Sequence, residues 1–503
     1  MDVLAPLLID TVFITDVISD TLITVNPDLS VSFVFEDKLY EAQVDSLVKL
    51  PDTLISWEFD LQYLPFPINL QPGDTIISEE FDWPLDIEAY NIEGVKLVEG
   101  LIRSGLLVFE VLDQSETDLL CIFGIRSAIR NETDTFNIEE KVFNGEVFSD
   151  SYDISDYRLG LSGENGDTVN MLSYYLALIV HPDEPGQVTL HPQDKFSVDL
   201  RFEDITLDYV LGYFGQNSFT IGPDVTDVDL FGDLDIQGIS IEQADVELEI
   251  RNYFGLEGYF SIKELSAINT ASGEEVFLEG PMVGTDLFID RALDVTPGAG
   301  EVIPSIQTYD FSDSNFGELF SLMPDQISYT VGIETNVFGD STNYNNFFYY
   351  DEPIRVYMKA AVDQGIRIND LLVTSTVDWN TSDIKLDKVS EGHLVMAYNN
   401  GFPFNLDVEM VLLDDEGAVV DTLISEGFIA AGILGPDARV VEPYETRIAI
   451  ELTESLEEAI GKARSSRYSI YINSAEDEHV KVYADDVLTL KVIGDFKYLI
   501  KQD

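Results

Sequence analysis

The chain has 503 residues, enough for about three units of ordinary domain size, and an apolar content of 45% with 30 Phe and 23 Tyr, which is the composition of a folded protein. With 94 Asp and Glu against 27 Lys and Arg the formal charge is −67, so nearly all carboxylates must face water and the surface repels phosphate and anionic headgroups. Nucleic acid is thereby disfavoured as a partner, and a saline or extracytoplasmic setting is the expected one.

Residues 1–84 read as an extended, strand-forming arm or cap. Val31, Phe33 and Phe35 alternate before Glu36-Asp37-Lys38, and Leu39 and Tyr40 follow it, the pattern of two strands around a turn. Prolines 51, 65, 67, 72 and 84 punctuate the stretch. The arm either caps the first unit or orders against a partner. No window approaches the roughly 18 apolar residues that span a membrane, so no transmembrane segment is expected. MDVLAPLLIDTVF lacks the basic start of a signal peptide, so export would require a signal, with any lipid anchor, lost ahead of this numbering.

From about residue 85 the chain repeats itself. The segments 106–145, 244–280 and 392–427 share an order of alternating strand, polar turn, long alternating strand, turn and third strand. Tyr152-Asp153-Ile154-Ser155-Asp156 recurs as Tyr309-Asp310-Phe311-Ser312-Asp313. After the second copy, Phe316, Leu319, Phe320 and Met323 fall on one face of a short helix that Ser312 or Asp313 can cap and Pro324 ends. Ile327, Tyr329, Val331 and Ile333 then alternate as a strand. Thr453 caps the matching helix of the third copy, with Leu456, Ala459, Ile460 and Ala463 on its apolar face, and the strand Tyr468, Ile470, Ile472 follows. In the first copy Gly160, Gly163 and Gly166 interrupt the pattern, which predicts a loop. The fold class expected is mainly β, with tandem immunoglobulin-like β-sandwiches, each with one short helix, over 85–235, 236–385 and 386–503.

Catalytic chemistry has no clear carrier in the sequence. His181, His191, His393 and His479 show no metal-ligand spacing. Cys121, alone in DLLCIFGI, reads as a core thiol. Nucleophile-elbow, phosphate-loop and zinc-helix motifs are absent, and no cofactor or metal is expected. Asp224, Asp227, Asp229, Asp233 and Asp235 crowd one stretch, but Phe231 and Gly238 stand where a calcium loop needs ligands, so a solvated acidic edge is the simpler reading. Asn131-Glu132-Thr133 and Asn380-Thr381-Ser382 fit a glycosylation pattern that recurs by chance. Trp83 and Trp379 echo each other ahead of two units and read as junction anchors, with sugar binding as the other possibility.

Two groups of loop aromatics stand out as candidate partner-binding anchors: Phe402 and Phe404 in NNGFPFN, and Tyr344, Phe347, Phe348, Tyr349 and Tyr350. Leu4-Ala5-Pro6-Leu7-Leu8, the acidic stretch from Ile18 to Ile55 and the three β-rich units resemble large envelope proteins of Bacteroidota that begin just after a lipoprotein-type signal. More specifically, the order of features is similar to the Plug subunit family of the type IX secretion translocon. The resemblance implies a non-enzymatic periplasmic protein, associated with the outer membrane, that closes the periplasmic mouth of a large outer-membrane β-barrel export channel. The alternative is a structural or glycan-binding envelope lipoprotein.

Overall fold

The computed structural model describes residues 2–13, 15, 23–41, 52–62, 64–85, 94–228, 235–362, 365–379, 389–475 and 479–498. The fold is of the β-sandwich class, with two short helices among those residues. The N-terminal residues form β1 (Asp2–Phe13), β2 (Ile23–Val25), β3 (Val31–Glu41), β4 (Thr53–Asp60) and β5 (Thr75–Pro84). These strands do not pair into a sheet of their own. They join three sandwiches in reverse order, so that the start of the chain completes the last sandwich and β4 and β5 complete the first.

In the first sandwich, β6 (Val95–Asp113), β7 (Leu119–Arg130), β8 (Met171–Val180) and β9 (Lys195–Phe214) carry the core. One ladder runs from β9 to β6, through the short strand Arg158–Gly160, to β7 and β8. Phe109 of β6 stacks on Phe123 of β7 with 5.2 Å between ring centres, so the ladder folds over and its two halves bury a common core. β4 extends the ladder beside β9 and β5 beside β8. Trp57 of β4 stacks on Phe81 of β5 at 5.6 Å and closes the gap between these two edges. The glycine-rich stretch after Arg158 is turn, with Gly163 at φ +71° and Gly166 at φ +70°, so the first unit has no helix at the place where the other two have one.

The second sandwich contains β10 (Asp245–Asn252), β11 (Gly258–Asn269), α1 (Phe316–Ser321), β12 (Gln326–Thr335), β13 (Asn346–Tyr349) and β14 (Arg355–Val362). One sheet runs β2-β3-β14-β10 and ends on Ser305–Asp310; the other is built around β12 and β11. Between them α1 buries Phe316, Leu319 and Phe320, and Phe320 stacks on Phe35 of β3 at 5.8 Å. The helix starts at Asn315, later than the sequence suggests, because Ser312 is used elsewhere: its hydroxyl accepts the Val246 amide at 3.2 Å and ties the turn to β10.

The third sandwich holds β15 (Val389–Asn400), β16 (Phe404–Leu413), β17 (Tyr444–Glu451), α2 (Glu454–Lys462), β18 (Ser465–Ser474) and β19 (Val487–Tyr498). One sheet has the order β1-β19-β15-β17, and the other packs β18 and β16 between Leu371–Asp378 and Val419–Ile429. Thr453 caps α2 by accepting the Leu456 amide at 3.2 Å, and Leu456, Ala459, Ile460 and Ala463 are buried as their spacing requires. On β1, Leu7 and Leu8 point into the core and the Asp10 carboxylate accepts the Tyr468 hydroxyl of β18. Burying such leucines contributes about 1.5–3 kcal/mol each, which holds the two ends of the chain in one sheet.

Candidate functional site

The aromatic anchors read from the sequence lie inside the molecule. Phe347, Phe348 and Tyr349 are 2%, 4% and 6% exposed, and Phe402 and Phe404 are 1% and 0%. β13 carries the first three and pairs with β9, adding a strand from the second unit to the ladder of the first: Tyr209 opposes Tyr349 and Leu211 opposes Phe347. Phe348 packs edge-on against Phe214 at 4.2 Å and Phe254 at 4.6 Å, while Tyr349 lies 4.7 Å from Tyr209. Both faces of this strand are apolar and each packs against both units, Phe348 between Phe214 and Phe254, and Phe347 and Tyr349 beside Tyr209 and Ala292. The surface these rings bind belongs to their own chain. Tyr344 and Tyr350 are half-buried beside cations, with Lys96 5.7 Å from the Tyr344 ring and Arg103 4.1 Å from that of Tyr350. None of the five buried rings can serve as a contact anchor for another molecule.

Within the second unit Gly255 lets β13 lie close, because a Cβ there would stand 2.1 Å from the Phe347 ring. The hairpin of Leu293–Thr296 and Glu301–Ile303 continues the contact. Its Gly298 carbonyl accepts from Arg158 of the first unit at 3.1 Å, and Asp294 accepts the Tyr349 hydroxyl at 3.0 Å.

Phe402 and Phe404 belong to a corner that recurs in the second and third units. At the end of β15, Asn400 is fully buried; its Oδ1 accepts the Phe402 amide at 2.9 Å and its Nδ2 donates to the Phe404 and Ala430 carbonyls, both at 2.9 Å. At the end of β10, Asn252 repeats this with the Phe254 amide and the Leu256 and Asp290 carbonyls. The corner of the first unit, at the end of β6, has Asp113 instead. Its Oδ1 accepts the Ser115 amide at 2.7 Å, but its Oδ2 is buried without a partner, where the asparagines present an NH₂. Burial drives the Asp113 carboxyl up to about 6, against the Ser115 hydrogen bonds and with help from Asp194 and Asp118. The sequence carries a signal for this corner, since Asp113-Gln114-Ser115, Asn252-Tyr253-Phe254 and Asn400-Gly401-Phe402 stand at the first turn of each repeat.

The Tyr-Asp-x-Ser-Asp repeat has a local structural role. Asp153 and Asp310 each accept the amide two residues on at 2.9 Å, and the Ser155 and Ser312 hydrogen bonds, side chain then backbone, hold both carboxyls below the usual range. Among the described residues no group of three or more His, Cys, Asp or Glu is placed to hold a metal; Asp229 and Asp233 of the acidic stretch lie outside the described residues. Trp379 is 5% exposed, and Trp83 packs edge-on to Trp57 at 6.3 Å, so both face cores. A solvent-open cleft of about 290 Å³ lies over Ser240, Arg367, Asn369 and Ser474. Beside it the Ser240 hydroxyl sits 3.1 Å from His479 Nε2, and among the described residues no carboxylate orients the other ring nitrogen, as a nucleophile–base–acid array requires.

No family model matches this chain, and no curated protein does. Among solved structures it is similar to a Parabacteroides distasonis protein provisionally described as secreted: 13% identity, 58% of this chain and 83% of that one covered, TM-score 0.29. Structures of infectious bursal disease virus, strains Gx and Gt, align over 90% of this chain at 11% identity with TM-scores of 0.12 and 0.11. Similarities this low identify no function. No helix among the described residues is long and apolar enough to cross a membrane.

Proposed function

We propose that this chain is a non-enzymatic, extracytoplasmic envelope protein that docks on a large outer-membrane β-barrel and closes the periplasmic end of a protein-export channel of the type IX kind. The reading rests on the resemblance of its N-terminal stretch and three β-rich units to the Plug subunits. The structural observation that supports it is the reverse threading of residues 2–84 through all three sandwiches. A plug has to remain one body while substrates push past it. The first and second units also share a ladder, in which β13 pairs with β9, so parting them breaks strand hydrogen bonds, unlike units joined by a free linker. The burial of Phe347, Phe348, Tyr349, Phe402 and Phe404 moves the docking face elsewhere on the surface.

The test is deletion in the native host. Loss of a plug opens the channel, so cells lacking this chain should release a soluble periplasmic marker and admit a normally excluded dye, and the full-length chain should restore the barrier. An intact barrier in the deletion strain would sink the proposal.

A further inference from the structure

The outward face of the sheet β1-β19-β15-β17 is organised in rows across the four strands. The middle row is Pro6, Ile493, Val395 and Ala449. One step to one side lie Leu4, Asp495, His393 and Glu451, and one step to the other lie Ile9, Lys491, Ala397 and Arg447. Leu4 is 71% exposed, Ile9 60% and Phe13, two rows further on, 41%. Among the described residues, none of Lys491, Arg447, Asp495 and Glu451 takes part in an ion pair within the chain. Lys491 and Asp495 cannot meet on their own strand, since four residues of extended chain separate them by about 14 Å.

We propose that this face is the interface of a symmetric dimer with a second copy of the chain. A two-fold axis laid in the plane of the sheet, along the middle row, turns the face over and exchanges the two flanking rows while keeping each residue in its own strand column. Lys491 of one copy then stands over Asp495 of the other on β19, Arg447 over Glu451 on β17, and Ile9 over Leu4 on β1. The apolar middle row meets itself. Such self-complementarity is the condition for an isologous two-fold interface, and aligned sheets pack face to face in this way about 10 Å apart.

Net charge points to the same occupant. Two chains of charge −67 repel at most approaches, but the two rows flanking the middle one carry two cations and two carboxylates, so a copy closing on this face meets less of that repulsion than elsewhere. Four strands and five rows cover about 19 Å by about 34 Å, roughly 650 Å² per copy, from strand spacing and rise. Both copies together then bury about 1,300 Å², within the range of specific interfaces. The inference is independent of the channel reading.

The experiment is sedimentation of the full-length chain at tens to hundreds of micromolar, for the native protein and three exposed-surface variants whose folding is checked by circular dichroism. The native chain is expected to sediment as a dimer. Lys491→Glu places two acids opposite each other in both symmetric contacts and should weaken association roughly a hundredfold, as should Asp495→Lys. The double exchange Lys491→Glu/Asp495→Lys restores opposite charges and should restore the dimer. A mixture of the two single variants should form heterodimers that neither forms alone. A native chain that stays monomeric, a Lys491→Glu chain that dimerises as well as native, or a folded double exchange that stays monomeric would overturn the proposal.

Discussion

Replacing Asp113 by Asn should stabilise the first sandwich, and the size of the gain should depend on pH. The second and third units show why, because at the same corner their asparagine accepts a backbone amide through Oδ1 and donates its NH₂ to two carbonyls. Asp113 supplies only the acceptor, and its second oxygen is buried without a partner. Its carboxyl titrates at about 6 when folded against 3.8 when exposed, so the folded state binds the proton more tightly. The Asp113 contribution to stability is therefore fully present below pH 4, is lost as pH rises from about 4 through about 6, and is flat above that. Two pKa units at 1.36 kcal/mol each amount to about 3 kcal/mol lost by pH 7. Asp113→Asn removes the titration, so the difference between variant and native should widen by about that much between pH 4 and pH 7. For a unit of about 150 residues this corresponds to a rise of roughly 6–12 °C in its melting transition at neutral pH. Calorimetry at the two pH values reads it directly, and the other carboxylates cancel in the difference. A variant no more stable than native at pH 7, or a difference that does not change with pH, would refute the reasoning.

The converse substitution, Asn400→Asp, should turn the third corner into a copy of the first. It should destabilise that unit by about 1–3 kcal/mol or more at pH 7, the cost of an unmade buried hydrogen bond and a desolvated charge, and less at pH 4; urea unfolding at both pH values checks the direction. Cys121 is buried, and that burial pushes its thiol up to about 12. It should therefore resist thiol reagents in the native state and react on unfolding, and rapid labelling of the folded protein would contradict this.

How much of this was legible in the sequence differs from element to element. Strand alternation and helix spacing are local, so α2 with its Thr453 cap and the turn at Gly163–Gly166, which replaces a helix, follow from residues close to one another. The reverse threading does not, because an extended, strand-forming arm contains nothing that selects β19, nearly the whole chain away, as the partner of β1. The aromatic run at Phe347–Tyr349 has the composition of a binding patch, and it is one, but the surface it binds is β9 of the same chain. Composition identifies stickiness and leaves the partner open. Asp113, Asn252 and Asn400 do not stand out for another reason: a polar residue at a turn is ordinary until burial shows that its hydrogen bonds define a corner.

The most direct test of the functional account is capture of the chain through a C-terminal tag from gently solubilised envelopes of its own host, with partners identified by mass. The account requires a very large outer-membrane barrel protein at near-equal amount. Recovery of the chain without any barrel, as a single copy or as its dimer, would contradict it.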